Sequence, residues 1–242
     1  HDDVVDISKD RRGKLTANEV WGNKTSVLVG DFLFSRSFQL MTKYGTIETL
    51  KILSDTSVII SEGEVLEISN DKNLEMNEDT YFQVINGKTA SLFSTACQVG
   101  GLSGGAKDNE LLALKSFGTN FGMTFQLIDD AIDYSSNLNT MGKNIGDDFK
   151  EGKITLPIIL AYGRSNDKEK QFWQKVISKP NENVNNFNLA KELIIKYKCI
   201  EDTVVRARHF ADVAIDSLSI FNDSKYKNAL IKLIETSVKR LS

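Results

Sequence analysis

The chain has 242 residues, enough to bury a sizeable core in one large domain. A hydrophobic share of 40% and a charged share of 26% fit a globular protein, and a formal charge of −3 gives no general reason to expect nucleic acid or an anionic membrane as partner. Cys97 and Cys199 sit in apolar stretches without metal-like spacing, which suits small buried residues and a reducing cytoplasm.

Helical periodicity dominates from end to end. The only prolines are Pro157 and Pro180. Proline inside a helix costs about 3 kcal/mol, so the long proline-free stretches allow long helices. Val20, Trp21, Val27, Leu28, Leu33, Phe34, Phe38 and Met41 recur near the 3.6-residue period and predict one long helix over 18–44. A second is expected over 46–68, a third over 78–103 ended by Gly104-Gly105, and a fourth over 109–134. Residues 135–153 are polar and contain glycine, so they read as a long loop of the kind that often carries function. Helices over 155–162, 167–178, 188–198, 200–221 and 226–241 complete the set. No stretch alternates with period two, no repeat of solenoid length is visible, and no apolar run is long enough to span a bilayer. An all-α, single-domain helical bundle over 1–242 is the expectation.

Two acidic constellations stand out. His1-Asp2-Asp3-Val4-Val5-Asp6 places Asp2 and Asp6 one helical turn apart, with Asp3 adjacent. Asp129-Asp130-Ala131-Ile132-Asp133 repeats the pattern, with Gln126 three residues before it. A solvated acidic helix face would explain either one alone. Both, however, are embedded in apolar sequence: Val4-Val5 in the first, and Phe125, Leu127, Ile128, Ala131 and Ile132 around the second. Like charges about 4 Å apart repel by roughly 4 kcal/mol at an effective dielectric of 20, so such clusters call for cations. Hard carboxylate oxygens suit Mg2+, which takes one or two carboxylates, several waters and phosphate oxygens.

Basic residues occur where a bound phosphate would need them. Arg11-Arg12-Gly13 follows the first cluster, and guanidinium groups bind phosphate through two parallel hydrogen bonds. Lys88-Thr89 lies mid-helix among apolar residues, where a lysine either snorkels or meets an anion. The polar loop carries Lys143, Asp147, Asp148, Lys150 and Lys153.

These strings, in this order, resemble the trans-polyprenyl diphosphate synthases: HDDVVD at 1–6, RRG at 11–13, TANEVWGNK at 16–24, VLVGDFLFSRSF at 27–38, GKTASLF at 87–93, GMTFQLIDDAIDY at 122–134 and GKNIGDDFKEGKITLP at 142–157. The likeness covers roughly the first 165 residues, and the later helices fit by pattern alone. It implies the isoprenoid synthase fold, all-α around a central cavity, usually in a homodimer. It implies that Asp2, Asp3, Asp6 and Asp129 hold Mg2+ on an allylic diphosphate, with Asp130 and Asp133 supporting that cluster. Arg11 matches an allylic diphosphate ligand and Arg12 an isopentenyl diphosphate ligand. Lys88, Lys143 and Lys153 match lysines that neutralise the departing diphosphate. Thr89 and Gln126 match residues whose dipoles face the developing allylic cation, and Asp148 an acid of the closing loop.

The implied chemistry is ionisation of the allylic C–O bond, attack of the cation by the double bond of isopentenyl diphosphate, and loss of a proton, with water excluded throughout. The first motif and residues 22–32 are most similar to long-chain members, which make the side chains of respiratory quinones. Phe93 lies about 7.5 Å along a helix from Lys88 and could floor a product tunnel, in which case Phe93→Ala lengthens the product; an ordinary core aromatic fits as well. The family has a further amino-terminal region before the first acidic motif, so these residues are expected to be a polyprenyl synthase domain lacking its amino-terminal helices, weak in activity alone. Alternatives are a farnesyl or geranylgeranyl synthase, a terpene cyclase, a squalene-synthase-like condensing enzyme, a non-catalytic subunit of a heteromeric synthase, and a helical scaffold with acidic faces.

Overall fold

The computed structural model describes residues 1–11, 13–135, 146–178 and 184–240. The fold is all-α, as expected, and divides into two compact units: one comprises His1–Leu53, and the other takes in the described residues from Ser54 onward.

In the first unit, a short helical turn α1 (Asp2–Val5) leads to a two-residue antiparallel pair, β1 (Asp10–Arg11) with β2 (Lys14–Leu15). The chain turns between them with Gly13 in the left-handed region at φ 73. Helix α2 (Ala17–Trp21) and helix α3 (Asn23–Tyr44) follow. The single helix predicted over 18–44 is therefore broken. Gly22 adopts φ 80 and ψ 158, which ends α2 and starts α3 anew. The small hairpin is also new, being too short to show alternation. Helix α3 has no buried residue along its 22 positions, and Val27, Leu28, Val29, Phe32, Leu33 and Phe34 all face outward. Helix α4 (Ile47–Ser69) begins in this unit and continues into the second.

The second unit is organised on α7 (Asp108–Asp133), the longest helix among the described residues. Its buried face runs through Phe117, Gly118, Gly122, Met123, Leu127, Ile128 and Ala131, a helical repeat that extends one spine through the core. Helix α5 (Glu78–Ile85), a π-helical turn (Asn86–Ala90) and α6 (Ser91–Ser103) make the expected helix over 78–103, with one extra residue wound into it at the π-turn. Asn77 caps α5 by accepting the Thr80 amide at 2.8 Å. Helices α6 and α7 lie almost backbone to backbone. A methyl group at Gly122 would fall 2.5 Å from Ala90 Cα, and one at Gly118 would fall 2.6 Å from Ser94 Cα. Small residues on both helices allow that approach.

The region read as a loop over 135–153 contains a short helix, α8 (Asp147–Glu151). Then come α9 (Leu156–Arg164), with Pro157 in its first turn where the missing N–H costs nothing, α10 (Asp167–Ser178), α11 (Val184–Lys196), α12 (Cys199–Ser217) with a 3-10 turn (Leu218–Ile220), and α13 (Lys225–Lys239). Two apolar clusters are buried in this unit. The larger includes Leu127, Ile128, Tyr134, Phe149, Leu156, Ile158, Trp173 and Ile194; the smaller gathers Phe117, Ala211, Ala214, Leu218 and Ile234. Arg206 on α12 donates Nε and Nη2 to the two carboxylate oxygens of Glu78 at 2.6 and 2.9 Å, tying α12 to the start of α5.

Candidate active site

In the first unit the acidic motif forms the turn the spacing predicts. Asp6 follows α1 and donates its backbone N–H to Asp2 at 2.8 Å; Asp2 is exposed and Asp3 and Asp6 are half-buried. His1 fixes the turn against α3. Its Nε2 lies 2.9 Å from the Val27 carbonyl and 3.1 Å from Asp31, and its ring occupies the space a side chain at Gly30 would take. Arg11 lies on β1. The hairpin is held to the start of α2 by Thr16 and Asn18, which donate to the Ser8 carbonyl at 2.7 and 3.2 Å. Arg12 and Lys143 lie outside the described residues.

In the second unit, α7 delivers Gln126, Asp129, Asp130 and Asp133 near its C-terminus, and each is differently engaged. Asp130 is 2% exposed. Its Oδ2 accepts from the Tyr81 hydroxyl at 2.5 Å and its Oδ1 from the Gln126 amide at 2.7 Å. Gln126 Oε1 in turn accepts from the Thr89 hydroxyl at 3.0 Å. Asp133 is 8% exposed, and its Oδ1 accepts the backbone N–H groups of Gly146 and Asp147, both at 3.2 Å, so it clasps the start of α8. Its Oδ2 is buried without a hydrogen-bond partner. Asp129 accepts from Arg240 Nη2 at 3.2 Å, and the same guanidinium lies 5.4 Å from the centre of the Phe125 ring. Phe125 and Asp129 are one turn apart, so together they hold the end of α13 on α7.

The π-turn brings Lys88 and Thr89 to this place. Gly63 of α4 and Gly87 make it possible: a methyl at Gly87 would lie 3.0 Å from Gly63 Cα, so the two backbones touch. Lys88 does meet an anion, but a protein one. Its Nζ lies 3.0 Å from Glu64 and 2.5 Å from Glu67, both on α4. Burial alone would lower the Lys88 pKa; the hydrogen bonds and charges of Glu67 and Glu64 outweigh it and hold the amine charged. Lys153 pairs with Glu151 at 2.8 Å. Phe93 packs edge-on against Phe121, ring centres 5.1 Å apart, and lies 5.6 Å from Phe125, so it is part of an aromatic cluster between α6 and α7.

The electrostatics are those of carboxylates crowded together. Burial and the charge of Asp148 push the Asp130 carboxyl upward, against the hydrogen bonds from Tyr81 and Gln126. Burial, then Asp148, raise Asp133 to about 7, against the backbone hydrogen bonds at Asp147 and Gly146. Asp148 of α8 thus joins the acidic cluster, and could reach an anionic ligand only through an intervening cation. Among the described residues no three His, Cys, Asp or Glu side chains converge as a ready-made metal cage. A magnesium site does not need one, since water and phosphate oxygens complete its octahedron. The donor set fits such an ion: hard oxygens, mutual repulsion that a cation would relieve, and the buried, unpartnered Oδ2 of Asp133.

Tyr81, Arg240, Glu64 and Glu67 carry no motif of their own, and the sequence offered only their types: a tyrosine and two glutamates on apolar helices, and an arginine near the end of the chain. Cys199 is buried and its thiol is pushed up to about 11, first by burial, so it is no nucleophile.

Known proteins match this chain in sequence and fold. The Polyprenyl synthetase family profile matches residues 1–194. Octaprenyl diphosphate synthase of Escherichia coli strain K12 is 40% identical over 242 residues, covering 99% of this chain and 74% of that protein. A decaprenyl diphosphate synthase from Rhodobacter capsulatus superposes with a TM-score of 0.94 at 43% identity, covering 100% of this chain and 74% of that one. A polyprenyl synthase from Caulobacter crescentus CB15, solved in complex with calcium and isoprenyl diphosphate, also superposes with a TM-score of 0.94, at 42% identity and the same coverage. This chain belongs to the polyprenyl synthetase family, and is a trans-prenyltransferase.

Proposed function

We propose that the protein condenses an allylic diphosphate with isopentenyl diphosphate to build a long-chain all-trans polyprenyl diphosphate, of the kind that becomes a quinone side chain. The observation that carries this reading is the setting of the second acidic motif. Buried Asp130 and Asp133 stand beside Asp129 and Asp148, and the half-buried Gln126 and Thr89 continue the network outward. The similarity to octaprenyl and decaprenyl synthases supports the long product.

Asp2, Asp3, Asp6 and Asp129 are the carboxylates we assign to Mg2+, with Asp130 and Asp133 fixing the chain around Asp129. Calcium with isoprenyl diphosphate on the Caulobacter relative supports a divalent ion here. Bound Mg2+ would neutralise the diphosphate as it departs. The protein's own groups do the rest. Lys88, held charged by Glu64 and Glu67, offers a cation to the same diphosphate, as do Arg11, Arg12, Lys143 and Lys153 in this assignment. In this assignment the oxygens of Thr89 and Gln126, joined by a hydrogen bond, would face the developing positive charge. Asp148 acts with the carboxylate group.

The number of large apolar side chains exposed on α3, among them Leu28, Phe32 and Leu33, supports a homodimer that would cover them. No helix among the described residues is long and apolar enough to cross a membrane. The two unpaired cysteines are in keeping with a cytoplasmic location. Chromatography of the products formed from farnesyl diphosphate and isopentenyl diphosphate with Mg2+ tests the proposal. Products of roughly eight to ten isoprene units are expected, in line with the octaprenyl and decaprenyl synthases that the chain is similar to. Accumulation at four units or fewer would assign the chain to the short-chain synthases.

A further inference from the structure

The hydrogen bonds around Asp130 run in one direction. Tyr81 has a single hydroxyl proton, and it is donated to Asp130 Oδ2 at 2.5 Å. Gln126 turns its amide nitrogen to Asp130 Oδ1 at 2.7 Å. While Asp130 is ionised it can only accept, and in that form the Gln126 amide cannot reverse without losing that bond. Its oxygen is left pointing the other way, where it takes the Thr89 hydroxyl proton at 3.0 Å. Thr89 has then spent its one donor, and what remains at its oxygen is lone pairs. The chain starts in the core, with Tyr81 and Asp130 both 2% exposed, and ends at Gln126 and Thr89, which are half-buried.

We propose that Tyr81, acting through Asp130, is a positioning residue that fixes the polarity of this chain, so that its open end turns the Gln126 amide oxygen and the Thr89 lone pairs away from Asp130 and favours a cationic ligand. This rests on the prenyl-transfer reading, in which an allylic cation develops beside Thr89 and Gln126. Without the Tyr81 hydroxyl, Asp130 keeps one side-chain donor, and the carboxylate is free to turn away from Gln126. The amide can then present its N–H groups outward, and an N–H dipole repels the charge that an oxygen lone pair attracts.

The variant is Tyr81→Phe, which keeps the ring in its packing beside Phe82 and removes only the hydroxyl. Calorimetry with Mg2+ compares two probes: inorganic pyrophosphate, which needs metals and cations alone, and an amine-bearing bisphosphonate, which adds a positive charge next to the diphosphate mimic. The expected result is that the ratio of the two affinities falls about tenfold, with pyrophosphate binding nearly unchanged, as suits the loss of a hydrogen bond to a charged group. Thr89→Val should lower the ratio similarly, and the double variant should lose little more, since both act on one chain. An unchanged ratio, or losses that multiply in the double variant, overturns the proposal. If Tyr81→Phe does not fold, Tyr81→Met, which also removes the hydroxyl from Asp130, carries the same test; an unchanged ratio is again fatal. Failure of pyrophosphate to bind the unaltered protein with Mg2+ would instead overturn the prenyl-transfer reading itself.

Discussion

Gly122→Ala sets two effects of opposite sign against each other, and the structure decides between them. Alanine is favoured over glycine in a helix interior by about 1 kcal/mol, so propensity alone makes the variant more stable. The new methyl, however, would sit 2.5 Å from Ala90 Cα and 2.9 Å from Ala90 Cβ, where an ordinary carbon contact is about 3.5–4.0 Å. The atoms it meets belong to the backbone and to a side chain with no rotamer to change. Helix α7 and the π-turn must therefore part by about 1 Å, an overpacking that costs roughly 1–3 kcal/mol. The net expectation is destabilisation by up to about 2 kcal/mol, the contact outweighing propensity. Gly100→Ala on α6 is the control: nothing lies within 4 Å of its added methyl, so it should gain up to about 1 kcal/mol. Urea unfolding at constant m-value reads both. Because Ala90 follows Thr89, the same displacement should loosen the Thr89–Gln126 contact and weaken Mg2+-dependent binding of an amine-bearing bisphosphonate. Equal stabilisation by the two substitutions would refute the close approach of these helices.

The charged groups yield further expectations. Asp133 titrates near 7 when folded, against an ordinary value of 3.8, so the folded state binds its proton more tightly than the unfolded chain. Its contribution is present in full below about pH 4 and is lost as pH rises to about 7, worth up to about 4 kcal/mol; metal-free stability should fall over that range, and Asp133→Asn should flatten the profile measured by urea unfolding. Lys88→Met should weaken Mg2+-dependent pyrophosphate binding about tenfold or more in calorimetry, while changing unfolding stability by under about 1 kcal/mol, because its ion pairs are partly exposed. Arg240→Gln should speed amide hydrogen exchange in the last turn of α13, since the Asp129 ion pair and the Phe125 face add to the packing of Val238 in holding that end; an unchanged pattern would mean that the packing suffices.

What the sequence disclosed and what it hid follow from the range of each interaction. Helices α4, α7 and α10 lie within a residue or so of their predicted limits, because their apolar positions repeat along the chain itself. The break at Gly22 was hidden because the apolar repeat continues across it, and one left-handed glycine leaves no periodic trace. The π-turn was equally silent, since one extra residue shifts the phase of α6 without erasing it. Asp129, Asp130 and Asp133 were visible as a cluster because they are neighbours on one helix. Their distinct duties were not. The Tyr81 partner of Asp130 is 49 residues away, and the Arg240 partner of Asp129 is 111. For Lys88 the sequence left open whether it snorkels or meets an anion, because the glutamates it pairs with, Glu64 and Glu67, lie a helix earlier.

In the proposed reading these carboxylates become a diphosphate site when divalent ions bind among them. Calorimetric titration of inorganic pyrophosphate into the protein, with Mg2+ and then with chelator, tests this most directly. Binding should require Mg2+ and should be lost in Asp129→Ala. Pyrophosphate binding that persists without the metal, or that Asp129→Ala leaves intact, would contradict it.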